Sequence, residues 1–182
     1  MEISEILKKY DTDKVKGHHY GVAYDKLFSL FDRNAEINIL EIGTQRGGSL
    51  AAWREYFPNA KITGIDIVDC VTEENKREDI DYVICDVNKY ETDEMFDIVI
   101  DDGSHWLKDV VPSVYYFTRR LKPGGVMIVE DVQNHEVYLP AIRNILSYQL
   151  SYNEGLKFEI VTFDVTSINN QADDFLIIIQ RL

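Results

Sequence analysis

The stretch Asn38-Ile-Leu-Glu-Ile-Gly-Thr-Gln-Arg-Gly-Gly-Ser49 constrains this chain more than any other. Ile37 to Ile42 is a short apolar run carrying one acid, Glu41, and reads as a buried parallel strand. Gly43, Gly47 and Gly48 follow, in a turn that side chains would obstruct. Ser49 is placed to cap a helix that starts near Leu50 and carries Leu50, Trp53 and Phe57 on one face. Strand, glycine turn and helix open a nucleotide-binding α/β sheet, because backbone N–H groups and a positive helix end are left facing a ligand. The spacing is Glu-x-Gly-x-x-x-Gly-Gly and not Gly-x-Gly-x-x-Gly, so the dinucleotide fingerprint is not met.

Acids recur at the ends of the next apolar runs. Lys61 to Ile67 reads as a second strand closed by Asp66, which lies about 20 residues beyond the glycines, where such a site places a carboxylate for ribose hydroxyls. Tyr82 to Asp86 is a third strand. Phe96 to Ile100 is a fourth, ending in Asp101-Asp-Gly-Ser-His105. Val126 to Val129 is a fifth, ending in Glu130-Asp131. Neighbouring strands lie about 5 Å apart, so Asp101, Asp102, Glu130 and Asp131 gather beside His105. Unpaired, these carboxylates repel one another and raise their own pKa values. A hard divalent cation relieves the repulsion, and Mg²⁺ (or Mn²⁺) keeps positions open for water or substrate. His105, three residues after a strand-end acid, is a candidate catalytic group.

At 182 residues the chain is expected to be one domain, with 1–34 as a helical lead-in over the site and 35–182 as the α/β core. Ile3, Ile6 and Leu7 suggest a short amphipathic helix, and Tyr10 to Lys14 a polar turn. His18-His-Tyr20 leads into a helix with Tyr20, Tyr24, Leu27, Phe28 and Phe31 on one face. Residues 68–81 read as a solvated helix or loop. Val110 to Leu121 reads as a helix stopped by Lys122-Pro-Gly-Gly125, and Leu139 to Leu150 as another. Phe158 to Phe163 and Phe175 to Ile179 are strands joined by a polar loop, Ser167 to Asp174.

A formal charge of −13 with scattered Lys and Arg argues against nucleic acid as a partner. No apolar run reaches about 18 residues, so no spanning helix is expected. The N-terminus lacks a signal-peptide pattern, and two cysteines, Cys70 and Cys85, make no disulfide framework. A cytoplasmic location follows as the expectation.

The Glu-x-Gly-x-x-x-Gly-Gly run resembles motif I of the class I S-adenosylmethionine-dependent methyltransferases. The longer pattern from Leu40, with Trp53, Tyr56, Phe57, Pro58 and Ala60, is similar to the metal-dependent sugar O-methyltransferases of macrolide biosynthesis, the mycinamicin and demethylmacrocin type. Helix-Lys-Pro-Gly-Gly-strand resembles class I methyltransferases as well, and Asp13-Lys14 followed by His18-x-Tyr-x-x-x-Tyr24-x-x-x-Phe28 resembles the N-terminal segment of the sugar enzymes. The resemblance spans roughly residues 10–135.

It implies a Rossmann-like α/β fold, a mostly parallel seven-stranded sheet in the order 3-2-1-4-5-7-6 with helices on both faces. It implies S-adenosylmethionine held by Glu41, Gly43, Thr44, Gly47, Gly48 and Ser49 at the methionine end. Asp66 and Ile67 then serve the ribose, Asp86 and Val87 the adenine, and Asp101 also faces the cofactor. Asp102, Glu130 and Asp131 become the metal ligands and His105 the base, although the choice between Asp101 and Asp102 stays open. Lys14, His18, Tyr20 and Tyr24 become part of a wall over cofactor and substrate. The implied activity is O-methylation of a sugar hydroxyl in a glycan or glycosylated small molecule, with a homo-oligomer as one way to complete the site. Three alternatives remain: a nicotinamide-dependent oxidoreductase on a similar sheet, a cephalosporin-hydroxylase-like protein, and a cofactor-binding module without catalysis.

Overall fold

A computed structural model describes residues 1–152, 155–169 and 172–182. Seven strands form one sheet in the order β3-β2-β1-β4-β5-β7-β6, as expected. They are β1 (Asn38–Ile42), β2 (Lys61–Asp66), β3 (Asp81–Ile84), β4 (Phe96–Asp101), β5 (Leu121–Val129), β6 (Phe158–Asp164) and β7 (Phe175–Arg181). The first five pair in parallel, and β7 runs antiparallel between β5 and β6. The helices are α1 (Ile3–Leu7), α2 (Asp13–Lys16), α3 (Gly21–Phe28), α4 (Gly48–Tyr56), α5 (Leu107–Thr118), α6 (His135–Tyr152) and α7 (Thr166–Asn169). Among the described residues no helix is long and apolar enough to cross a membrane.

Two apolar layers sandwich the sheet, because successive strand residues point to opposite faces. Ile39, Ile98, Ile100, Val126 and Ile128 join Tyr24, Phe28, Trp53 and Phe57 on one face. Leu40, Ile42, Val99, Met127 and Val129 join Val110, Val114, Phe117 and Ile142 on the other. Each large apolar side chain so buried contributes about 1.5–3 kcal/mol. The N-terminal lead-in is part of the first layer: Ile3, Ile6 and Leu7 are all buried within it.

Several local expectations change. The helix expected from Val110 to Leu121 ends at Thr118, and Leu121 already pairs with Phe96 in β5. Lys122-Pro-Gly-Gly125 therefore makes an irregularity inside β5, with a register shift between Phe96 and Ile98, and not a helix stop. Gly47, in the left-handed conformation (φ +81°), takes the N-cap position of α4. Ser49 lies inside that helix and donates to the Glu41 side chain at 2.7 Å. The polar turn from Tyr10 runs into α2, while residues 68–80 are loop, one of the two forms expected there, and Asp81 already begins β3. The loop expected from Ser167 to Asp174 contains the end of α7; its Asn170 and Gln171 lie outside the described residues.

Candidate active site

The carboxyl ends of β1, β2, β4 and β5 are held level by hydrogen bonds that continue past the strands. Gly43 N donates to Ile65 O at 2.8 Å, Asp102 N to Ile42 O at 2.9 Å, and Glu130 N to Asp101 O at 3.0 Å. The loop after each strand is thereby fixed against its neighbour, which is where an open α/β sheet binds ligands. Gly43 is indispensable to this packing. Its φ is +84°, and a Cβ there would lie 1.9 Å from the Asp102 carbonyl oxygen. Gly43→Val combines forced overpacking, about 1–3 kcal/mol, with a left-handed backbone, about 1–2 kcal/mol. A large fall in the urea midpoint relative to wild type is expected. An unchanged midpoint would mean the two loops are not in contact.

Gly43, Asp66, Ile67, Asp86, Val87, Asp101 and Asp102 line one cavity of about 440 Å³. Gln45, Cys85, Asn88, Ser104, Asp109 and Val110 line it too and were not foreseen. Of these, Gln45 and Ser104 had a signal in the sequence, since they lie inside the glycine turn and the Asp101–His105 run. Asp66 spends most of its hydrogen-bonding capacity on the glycine turn: Oδ2 accepts from Thr44 N and Gln45 N, both at 2.9 Å, and Oδ1 from Val68 N at 3.2 Å. Asp86 accepts from Asn88 N at 3.0 Å. Asp101 is buried, and its Oδ2 has no hydrogen-bond partner among the described residues. Burial pushes its pKa up to about 6.

Glu41, Thr44, Gly47, Gly48 and Ser49 do not line this cavity. Thr44, Gly48 and Ser49 border a neighbouring cleft of about 20 Å³. Glu41 is fully buried, accepting from Ser49 Oγ and Trp53 Nε1, each at 2.7 Å, so it ties β1 to α4. Burial raises its pKa, and the nearby Lys14 ammonium opposes the rise.

Asp102, His105 and Asp131 form a second feature that opens from the same cavity through Asp102. One ligand atom of each lies within 4.8 Å of the others. His105 and Asp131 both have positive φ, +57° and +53°, a region that residues other than glycine rarely occupy. His105 Nε2 sits 3.8 Å from Asp131 Oδ2. Glu130 is outside that triad. It is buried and accepts from Lys14 Nζ at 2.9 Å and from the Tyr24 hydroxyl. Burial raises the Glu130 pKa well above the usual range; Lys14 opposes this, and the Asp102 and Asp131 charges add to it.

The four lead-in residues expected to form a wall reach the acids instead. Lys14, Tyr20 and Tyr24 are buried and present no exposed surface to an acceptor. Lys14 Nζ bonds Asp102 Oδ2 at 2.5 Å, and the Tyr20 hydroxyl donates to Asp131 Oδ1 at 2.7 Å. His18 Nδ1 lies 2.7 Å from Asp174 Oδ1, with Asp13 on its other nitrogen at 3.7 Å. The Asp13 contact is the largest influence lifting the His18 pKa, which reaches about 10, so His18 is a cation between acids. Asp173 and Asp174 were not foreseen as neighbours of His18, and nothing in the sequence near either one signals the pairing.

Residues 40–129 match the methyltransferase-domain family. Mycinamicin VI 2''-O-methyltransferase of Micromonospora griseorubida is 32% identical over 147 residues, which is 72% of this chain and 36% of that protein. The 8-demethyl-8-alpha-L-rhamnosyl tetracenomycin-C 2'-O-methyltransferase of Streptomyces olivaceus is 32% identical over 155 residues, 78% of this chain and 40% of that protein. The MycE methyltransferase of mycinamycin biosynthesis, solved with Mg, SAH and mycinamycin VI, superposes with a TM-score of 0.75 at 25% identity, over 100% of this chain and 54% of that one. This chain thus spans 36–40% of the length of these curated relatives. The sheet order, the glycine turn after β1 and the match across residues 40–129 together make this chain a member of the class I methyltransferase family.

Proposed function

We propose that this chain transfers a methyl group from S-adenosylmethionine to a sugar hydroxyl on a glycosylated small molecule, with a divalent ion, Mg²⁺ or Mn²⁺, at the acids. The observation that carries this reading is that Asp102 belongs both to the 440 Å³ cavity and to the Asp102–His105–Asp131 cluster. A cofactor cavity and a cation-competent cluster therefore share one wall, as methyl transfer to a metal-held oxygen requires. One relative named above carries a name for 2'-O-methylation of a rhamnosyl tetracenomycin-C, the other for 2''-O-methylation of mycinamicin VI.

The residues present suit both groups. A buried carboxylate with an unpartnered oxygen, Asp101, on a cavity wall suits a cationic ligand, and S-adenosylmethionine carries two positive centres. Asp66 and Asp86 offer acceptors for hydroxyl and amino groups, and Ile67, Val87 and Val110 offer apolar contact to a flat ring. When bound, the cofactor supplies an electrophilic sulfonium methyl. Asp102, Glu130 and Asp131 would hold a hard cation through oxygen, and such an ion supplies charge that favours the acceptor alkoxide. His105 takes the hydroxyl proton at Nε2, with Asp131 beside it to stabilise the imidazolium. The rest of the chain holds the two sites in register, which is where most of the rate enhancement of such a transfer arises.

Asp66→Ala removes the backbone hydrogen bonds from Thr44 and Gln45 at the glycine turn and from Val68 beyond β2, as well as the ribose partner. At about 1.5–3 kcal/mol for a charged bond, cofactor affinity is expected to fall about 10–100-fold in a calorimetric titration. Retained affinity would place the ribose elsewhere. The reaction itself is tested by incubating the protein with S-adenosylmethionine, Mg²⁺ and a panel of deoxysugar glycosides, and following product mass. A gain of one methyl group on the sugar is expected, lost in EDTA and restored by Mg²⁺. Equal turnover in EDTA and in Mg²⁺ would refute the metal-dependent part.

A further inference from the structure

We propose that the segment from Lys14 to Tyr24 orients the acids of the cation site, and that Tyr20 and Tyr24 are its positioning residues. The inference rests on the metal-dependent reading above. Each acid expected to hold the ion is gripped by this segment through one oxygen. Lys14 Nζ takes Asp102 Oδ2 at 2.5 Å and Glu130 Oε1 at 2.9 Å. The Tyr24 hydroxyl donates to that same Glu130 Oε1, and the Tyr20 hydroxyl to Asp131 Oδ1 at 2.7 Å. Asp102 Oδ1, Glu130 Oε2 and Asp131 Oδ2 take none of these bonds. One oxygen of every carboxylate is thereby fixed by the fold and the other makes none of these bonds; Asp102 and Asp131 stand in the cluster with His105, and Glu130, outside it, shares Lys14 with Asp102.

A carboxylate with one oxygen tied down arrives in a single rotamer, so a cation need not order it. The two tyrosines sit one helical turn apart and reach acids 111 and 106 residues away in sequence. Both are 0% exposed, so neither touches an acceptor in this structure. Their rings pack in the core, but core packing needs no hydroxyl. Phenylalanine would fill the same space; the Tyr24 hydroxyl ends on Glu130, and the Tyr20 hydroxyl lies 2.7 Å from Asp131 Oδ1, nearer than the Asp173 carbonyl oxygen at 3.1 Å.

The test is Mn²⁺ binding, read from the loss of the free-ion signal in electron paramagnetic resonance, on wild type, Tyr20→Phe and Tyr24→Phe. Tyr82→Phe serves as the control, since the Tyr82 hydroxyl accepts from Arg77 N at 3.1 Å, on β3 and away from the acids. Both lead-in variants are expected to bind Mn²⁺ about 10–100-fold more weakly. Affinity for S-adenosylmethionine should hold, and Tyr82→Phe should match wild type. Unchanged Mn²⁺ affinity in both variants, even with a lowered melting temperature, overturns the inference and makes the tyrosines purely structural. Equal weakening in Tyr82→Phe overturns it as well. A wild-type protein that binds no Mn²⁺ removes the metal-dependent reading itself, and this inference with it.

Discussion

Lys14→Met is expected to destabilise the protein by about 3–5 kcal/mol, the usual consequence of stripping one partner from a buried ion pair. Lys14 is 1% exposed and has three carboxylates around its ammonium: Asp102 at 2.5 Å, Glu130 at 2.9 Å and Glu41 at 3.5 Å. Burial alone would lower its pKa. The three acids outweigh burial and hold it well above its ordinary value, so the side chain stays charged. Methionine keeps nearly the same length and volume, which confines the change to the lost charge and its bonds. What remains is three carboxylates in one buried space, and Glu130 is already raised by burial and by its acidic neighbours. A carboxyl whose folded pKa lies above its unfolded value binds its proton more tightly when folded. Its cost is therefore incurred as pH rises through that window and relieved as pH falls. The deficit of the variant should shrink on acidification. Urea unfolding of both proteins across a pH series measures this. A variant within about 1 kcal/mol of wild type, the range of an exposed ion pair, would contradict the buried-cation account.

His105→Ala is expected to lower kcat about 10²–10⁴-fold, the ordinary worth of a positioned general base. His105 sits three residues beyond Asp102 in a left-handed backbone conformation, and its carbonyl accepts from the Tyr138 hydroxyl. The fold thus fixes the backbone, while Asp131 faces the ring at 3.8 Å. The side chain is 27% exposed, enough to meet an acceptor and too little to be an ordinary surface histidine. His105 does not line the 440 Å³ cavity, so cofactor affinity should survive the substitution. Steady-state turnover in Mg²⁺, with calorimetry of S-adenosylmethionine on the same samples, separates the two effects. A kcat within tenfold of wild type would assign the proton to another group.

The parts of this architecture written locally were legible in the sequence. Apolar strands that end in an acid, the glycine turn and the helix after it each follow from a few consecutive residues, and they pointed to the cavity acids Asp66, Asp86, Asp101 and Asp102, whereas the sheet order came with the family resemblance. Ser49 shows the limit of local reading. A serine at a helix start looks the same whether it caps or reaches elsewhere, and here Glu41, eight residues earlier, captures its hydroxyl. The start of β5 was hidden for a similar reason: Pro-Gly-Gly signals a break, yet pairing with Phe96 carries the strand through it. The lead-in was the least legible. Its aromatic spacing correctly announced a helix packed on the core, but nothing near Lys14 or Tyr24 names acids 88 to 116 residues away as their partners. The acids that gather at the strand ends were therefore foreseen, while the cation and hydroxyls that hold them were not.

The measurement that tests the central claim most directly is parallel calorimetric titration of the wild-type protein with S-adenosylmethionine and with NADH. The account predicts saturable binding of S-adenosylmethionine at one site per chain and no heat from NADH. Binding of NADH with none of S-adenosylmethionine would contradict the methyltransferase reading and assign the cavity to a nicotinamide cofactor.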